Sequence, residues 1–290
     1  MSSESNSKST PKGAVTFLYG TLPGRIMQGL FLTLRIPALL GLFLRSPLSA
    51  FYIKPFVKKN KIDLSGFEGV KFRTFNDFFT RKKDIPFDKS PDTLISTADG
   101  LLSAYKIEEN STFRVKGFDY SVKDLLPGYE DTESFTGGTC LVFRLRPIDY
   151  HRYIFVDSGR LEKNHFVKGS LHSVQPAALE RYRVYTKNRR SWVILHTDHF
   201  GDAAQIEVGA FSVGGIINHL QDASFEKGQE KGYFDLHGST IVLLLQKDQA
   251  TLLPEYQDAY TREVPVCIGA PIAKKQMDGL RSTAHKIKKN

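Results

Sequence analysis

From about residue 92 onward the chain is written in short apolar runs and alternating stretches. They are LISTADGLLSAYKI (94–107), TCLVFRLRP (139–147), SWVILHTD (191–198), AAQIEVGAFSVGGII (203–217) and STIVLLLQ (239–246). Period-two alternation cannot sustain the 3.6-residue stripe of an amphipathic helix. These runs therefore read as strands, with the intervening Gly, Asp and Asn supplying turns. YSVKDLLP (120–127) is the exception and reads as a short helix.

The N-terminal part has a different texture. Residues 20–59, GTLPGRIMQGLFLTLRIPALLGLFLRSPLSAFYIKPFVKK, are strongly apolar but cut by Arg25, Arg35 and Arg45. No apolar run there reaches the ~18 residues that a bilayer span needs. Pro23, Pro37, Pro47 and Pro55 divide it into short helices, proline being suited to a helix start. Apolar helices edged with Arg and Lys suit a membrane interface, or packing on the chain's own core. The expected fold class is α+β: N-terminal amphipathic helices followed by a mainly antiparallel β core. The expected division is a disordered tail over 1–16, a helical membrane-associating region over 17–90 and a β-rich catalytic domain over 91–290. The polar start, MSSESNSKSTPK, is no secretory signal, because no apolar stretch follows it directly.

Composition narrows the classes. With 41% hydrophobic residues in 290, the chain can bury a full core. The net charge of +9 asks for an anionic partner, and without a nucleic-acid-binding signature an acidic membrane surface fits better than nucleic acid. Cys140 and Cys267 lack metal-ligand spacing and read as buried thiols in a reducing compartment; no metal cluster is expected. Trp192 reads as core, and the charged KNRR at 187–190 as a solvated face.

One junction could carry chemistry. In YFDLHGSTIVLLL (233–245), a polar tetrapeptide runs straight into a solid apolar strand. Taken alone, Gly238-Ser239-Thr240 is a turn opening a strand. The Ser239 hydroxyl is nevertheless placed to attack the preceding carbonyl, turning the amide into an ester. Loss of the Cα proton would then expel the ester oxygen, cut the chain and leave dehydroalanine, which hydrolyses to a pyruvoyl ketone. Gly238 lacks the Cβ that would hinder this geometry. The step needs a base and a donor for the oxyanion, Thr240 and backbone N–H groups being candidates.

Several further motifs accompany this junction: FRTFNDFFTRK (72–82), STADG (96–100), VKGFDYSVKDLL (115–126), RLRPIDYHRYIF (144–155), GSLHSVQPAAL (169–179), FGDAAQIEVGAFSVGGI (200–216) and KGYFDLHGSTIVLL (231–244). In this order they resemble the phosphatidylserine decarboxylase proenzyme family, from about residue 17 to about 273. The resemblance implies self-cleavage between Gly238 and Ser239 into a β chain, 1–238, and an α chain, 239–290, capped by a pyruvoyl cofactor made from Ser239. It implies an Asp-His-Ser relay, with Asp99 in TADG and His151 in DYHRY at the matching positions. Many members carry a second histidine where this chain has Ile154. The base is therefore His151 or another histidine: His172 is the alternative and His237, by adjacency, a third.

The implied reaction decarboxylates phosphatidylserine to phosphatidylethanolamine and CO2, the ketone condensing with the substrate amine and accepting the released electron pair. It needs no metal. The implied setting is peripheral, on the cytoplasmic side of the cell membrane, on anionic phospholipid, with a homodimer possible and no nucleic acid bound. Two readings remain beside it: a pyruvoyl-dependent decarboxylase of a soluble amino acid, and a non-catalytic membrane-binding homologue.

Overall fold

The computed structural model describes residues 17–18, 21–34, 36–210, 215–236 and 239–276. The expected tail over 1–16, together with His237 and Gly238, lies outside the described residues. The α+β expectation holds: helices come first, then antiparallel strands.

The N-terminal layer consists of α1 (Leu22–Thr33), α2 (Ile36–Leu44), a 3-10 turn (Pro47–Tyr52), α3 (Ile53–Asn60) and α4 (Phe75–Phe79). Among the described residues, no helix is long and apolar enough to cross a membrane. Helix α4 is only five residues long, too short to persist on propensity alone. A capping box fixes its start: the Asp77 N–H donates to Thr74 Oγ1 at 3.0 Å, and the Thr74 N–H donates to Asp77 Oδ2 at 3.2 Å. The Phe75 N–H donates to the buried Ser49 Oγ at 2.8 Å, which locks α4 to the 3-10 turn. Phe75, Phe78 and Phe79 then pack with Leu44 and Ile53 into one apolar cluster.

The body of the molecule is a nine-stranded antiparallel sheet. Its centre runs β4 (Arg190–Thr197), β5 (Asp202–Val208), β8 (Ser239–Leu245), β2 (Thr139–Leu145) and β1 (Gly100–Lys106) in spatial order. Val264–Val266 closes the β1 edge, and Gly159–Leu161 continues the β4 side. A three-stranded sheet runs β6 (Gly215–Asn218), β7 (Glu230–Asp235) and β3 (Arg152–Ile154) in spatial order.

Both faces of the large sheet are covered. On one, Leu141, Phe143, Ile241 and Leu243 meet Tyr153, Phe155 and Phe234 of the smaller sheet's side. On the other, Cys140, Val142, Val242 and Leu244 meet Tyr120, Leu125, Leu179 and Tyr185. Every residue of β8 is buried, which explains its unbroken apolar run. Each of its large aliphatic side chains contributes about 1.5–3 kcal/mol by leaving water.

Two surface expectations change. In KNRR, Arg190 is buried because it serves as a cap: its guanidinium donates to the Leu125 and Asp124 carbonyls at the end of the short helix Val122–Leu125, at 3.2 and 2.7 Å. Asn188 is also buried. Cys140 and Trp192 are buried as expected, but Cys267 is exposed. Val266 and Ile268 point inward on either side of it, so alternation turns the thiol outward.

Gly100 opens β1 with φ +148°, and a Cβ there would stand 2.5 Å from the Arg144 carbonyl oxygen. Gly100→Ala is expected to cost about 1–3 kcal/mol from the backbone conformation alone. A lower urea midpoint at unchanged slope would register this.

Candidate active site

Ser239 is the first residue of β8 and pairs with Leu145 of β2. Directly paired residues share a sheet face. Leu145, Ile241 and Leu243 all belong to the core between the two sheets, so the Ser239 side chain faces that core. The serine is 1% exposed, and its Oγ has no hydrogen-bond partner among the described residues. A buried hydroxyl left unpartnered costs on the order of 1–3 kcal/mol. Thr240 alternates to the opposite face, where its cross-strand neighbour Val208 belongs to the other core.

His151 lies just before β3, on the smaller sheet, and is fully buried. Alternation along the segment places it with Tyr153 and Phe155, on the side of the core that Ser239 faces. Its Nδ1 hydrogen-bonds the Asp149 carbonyl at 2.8 Å. A carbonyl only accepts, so Nδ1 carries the proton, and in the neutral ring the lone pair sits on Nε2. The Phe79 ring covers the imidazole at 4.0 Å between centroids. The backbone is fixed too: the Phe234 N–H of β7 donates to the His151 carbonyl at 2.9 Å.

Asp99 occupies the turn leading into β1. Its Oδ1 accepts the Ile268 N–H at 2.7 Å, and the Tyr150 N–H, one peptide from His151, weakly favours its charged form. Thr97 of the same turn exchanges two bonds with Ile154: its Oγ1 donates to the Ile154 carbonyl at 2.7 Å, and its own carbonyl accepts the Ile154 N–H at 3.0 Å. The Asp99 turn and the His151 segment are therefore stitched together through the main chain. Burial pushes the Asp99 carboxyl above its ordinary range, against the pull of the Ile268 N–H and Lys83. The Ile154 side chain sits in an apolar cluster with Ile95, Tyr150 and Ile268.

His172 is elsewhere. Its ring stacks on Tyr182 at 4.6 Å, and its backbone is held on both sides by Asn188, at 2.9 and 2.7 Å. Tyr182 and the nearby Val174 pack against the core on the Thr240 face. Burial, then Lys187, lowers the His172 pKa. Of the candidates from sequence, Asp99 and His151 lie on segments linked through Thr97 and Ile154, Ser239 opens β8 facing the core between the sheets, and His172 stacks on Tyr182 beside the other core. His237 and Gly238 lie outside the described residues.

Sequence reasoning missed a buried polar group on the Ser239 face. Lys231 Nζ donates to Glu207 Oε1 at 2.7 Å and to Asn218 Oδ1 at 2.9 Å, with both charges almost wholly buried. Glu207 pairs directly with Ile241, two residues along β8 from Ser239. Within the strand expected over 203–217, residue identity does not say what covers each face, and the covering layer makes Glu207 interior.

The phosphatidylserine decarboxylase family profile matches residues 75–273. Phosphatidylserine decarboxylase proenzyme 2 of Clostridium acetobutylicum is 41% identical over 244 residues, 83% of this chain and 84% of the relative. A phosphatidylserine decarboxylase proenzyme of Desulfitobacterium hafniense is 43% identical, covering 74% of this chain and 75% of its own. One of Clostridium tetani is 40% identical, covering 81% and 82%.

The raised Asp99 pKa has a measurable sign. The folded protein holds this proton more tightly than the unfolded chain, so the carboxyl opposes folding increasingly as pH rises above about 4. Asp99→Asn keeps an acceptor for Ile268 without the charge. At pH 7 it is expected to unfold at the same or a higher temperature than the parent, with the difference shrinking toward pH 4. Thermal melts across that range, both chains carrying Ser239→Ala to block any cutting, measure it.

Proposed function

The chain belongs to the phosphatidylserine decarboxylase family, and on that premise we propose that it cuts itself at Gly238-Ser239 and then converts phosphatidylserine to phosphatidylethanolamine and CO2. The observation that carries this is the buried Ser239 hydroxyl, without a hydrogen-bond partner among the described residues, facing the core that His151 lines. A merely structural serine at a strand start would be expected to spend its hydroxyl on a cap or on solvent.

The cutting step balances within the chain. His151 Nε2 takes the Ser239 hydroxyl proton as Oγ bonds to the Gly238 carbonyl carbon. The C–N bond then breaks, and the proton passes to the Ser239 nitrogen, leaving an ester. Removal of the Ser239 Cα proton breaks the Cβ–Oγ bond. Gly238 leaves as the new C-terminal carboxylate, and residue 239 becomes dehydroalanine. Its imine form takes up water and releases ammonia, giving the pyruvoyl group at the start of the α chain.

We assign the base to His151 rather than His172, because alternation turns Ser239 toward His151's core and away from the Tyr182 stack. Main-chain Asp149 fixes the His151 tautomer. Asp99 sits on the turn that Thr97 ties to Ile154 of the same segment, so its part is to orient rather than to accept the proton. Ile154 withdraws nothing from this scheme, since its side chain completes an apolar cluster.

The fit of a pyruvoyl group rests on the same orphaned Oγ: it asks for a buried serine at a chain junction, and Ser239 is one. Once formed, it would supply an electron sink for the bonding pair that the departing CO2 leaves on the substrate carbon. The chain's residues then exclude water from the core and return a proton to the substrate carbon, a task within reach of the His151 imidazole.

The substrate side falls to the helical region over 17–90, with the β-rich region over 91–290 carrying the chemistry. Exposed large apolar side chains concentrate in the first region: Leu30, Leu39, Leu42, Leu48 and Phe51 are each more than half exposed. Lys54, Lys58, Lys59 and Lys61 follow on and just past α3. Apolar anchors beside cations suit the anionic face of a bilayer, and we place the protein peripherally on the cytoplasmic side of the cell membrane.

The expected result for the purified protein is two pieces by intact mass spectrometry, the smaller one blocked at its N-terminus. Ser239→Ala is expected to give one 32.7 kDa chain. His151→Ala is expected to slow cutting by at least 100-fold and His172→Ala by little; the reverse order would move the base to His172. For the membrane part, Leu39→Ser with Phe51→Ser is expected to weaken sedimentation with phosphatidylserine vesicles several-fold while the protein still cuts. Unchanged sedimentation would favour a soluble amino acid as substrate.

A further inference from the structure

The chain leaves β7 at Asp235 and enters β8 at Ser239, so residues 236–238 must carry it from the small sheet to the large one. The first of them, Leu236, is 1% exposed and has φ +56°. A bulky residue rarely adopts the left-handed region, and no glycine stands there to adopt it freely. Leu236 packs into the apolar cluster of the N-terminal layer, against side chains that include Leu44, Ile53, Phe75 and Phe79. The residue before it, Asp235, is ion-paired with Arg45 at the end of α2.

The same layer reaches the other side of the site. Phe79 covers the His151 ring, and Arg152 Nε donates to the Thr80 and Arg81 carbonyls at 2.8 and 3.2 Å. Four contacts of different kinds thus bind one layer to both the approach to Ser239 and the histidine segment: an apolar anchor, an ion pair, a ring contact and a guanidinium bridge.

We propose that the helical layer is a clamp for self-cleavage, with Leu236 as its positioning residue. Its side chain, pinned among Phe75, Phe79 and Leu44, forces the left-handed turn that aims the chain at the Gly238-Ser239 bond. Arg45–Asp235 braces that turn, and Phe79 holds the imidazole opposite. The inference rests on the self-cleavage reading of Ser239 and adds a requirement to it: a serine and a base do not suffice unless the layer is docked. The surface-facing helices and the scissile junction are then one mechanical unit.

The test uses full-length precursor made by cell-free synthesis, with cutting followed on denaturing gels and stability measured in matching chains that also carry Ser239→Ala. Leu236→Ala is expected to cut at least tenfold more slowly. Leu236→Gly, which removes the backbone strain together with the anchor, is expected to be slow as well. Leu236→Met, which keeps an apolar anchor, is expected to recover most of the rate. A hydroxylamine pulse separates positioning from general damage to later steps. With the serine mis-aimed, no ester forms, and hydroxylamine is expected to release no extra fragments from Leu236→Ala.

Should Leu236→Ala fail to fold, the decision passes to Arg45→Ala, whose side chain lies at the surface. It is expected to cut about threefold more slowly, with the exchange Arg45→Asp plus Asp235→Arg restoring the rate. Wild-type cutting rates in Leu236→Ala, or in Arg45→Ala where that variant decides, overturn the clamp. A wild-type chain that never cuts overturns instead the self-cleavage reading beneath it.

Discussion

The structure depends on a crossing between two sheets made in very little chain. Packed sheets stand about 10 Å apart. Four Cα-to-Cα steps, from Asp235 to Ser239, reach at most about 14 Å when extended. Little slack remains, so the direction in which the chain leaves β7 decides where Ser239 enters β8. A left-handed residue at the exit costs about 1–2 kcal/mol for any side chain bearing a Cβ. A buried leucine recovers more than that by leaving water, about 1.5–3 kcal/mol. The two magnitudes explain how a leucine can hold a conformation that would ordinarily be left to glycine. They also explain why the cluster around it is aromatic: Phe75, Phe78 and Phe79 bring large apolar area on a helix of only five residues.

Much of the fold was legible because strand alternation and proline spacing are local signals. The apolar runs at 139–145 and 239–245 became central strands, and the proline-cut stretch after residue 20 became short helices. The failures share a cause. KNRR read as solvated because charge is a surface prior, yet Arg190 is buried as a cap for carbonyls some 65 residues away in sequence. In QIEV, alternation does not say what covers either face of the strand. Glu207 is interior because a second sheet lies over it; Lys231 and Asn218 satisfy it from that sheet and Gln205 from its own strand. Local pattern gives a side chain's direction, and only topology gives what stands there.

The buried Lys231–Glu207 pair bears on how exacting the core is. Removing one partner of such a pair typically costs about 3–5 kcal/mol, because the other charge is stranded, whereas the pair itself gains little over apolar packing. Its value is then in register rather than strength. Glu207 lies on β5, facing Ile241 of β8, and Lys231 lies on β7, so the pair ties the strand that precedes the 236–238 crossing to the neighbour of the strand that follows it. A slip of one residue in β8 would turn Ser239 to the opposite face and set Ile241 away from Glu207's side. The polar group and the Leu236 anchor therefore constrain the same variable from opposite ends.

The candidate site was legible only as residue types. Asp99 and His151 could be named from their motifs, but the way they cooperate could not. A carboxylate in such a trio is expected to hold the imidazole's Nδ1 directly, as in serine hydrolases. Here the Asp149 carbonyl holds Nδ1, and Asp99 accepts the Ile268 N–H. A main-chain acceptor fixes the tautomer without adding a formal charge beside the ring. Asp99, raised by burial, is free to act on segment geometry. Backbone partners of this kind leave no trace in residue identity, since any amino acid supplies the carbonyl. The division of labour between a carbonyl that selects the tautomer and a carboxylate that places the loop follows from the turn at 96–99 being stitched to β3. Thr97 makes that stitch.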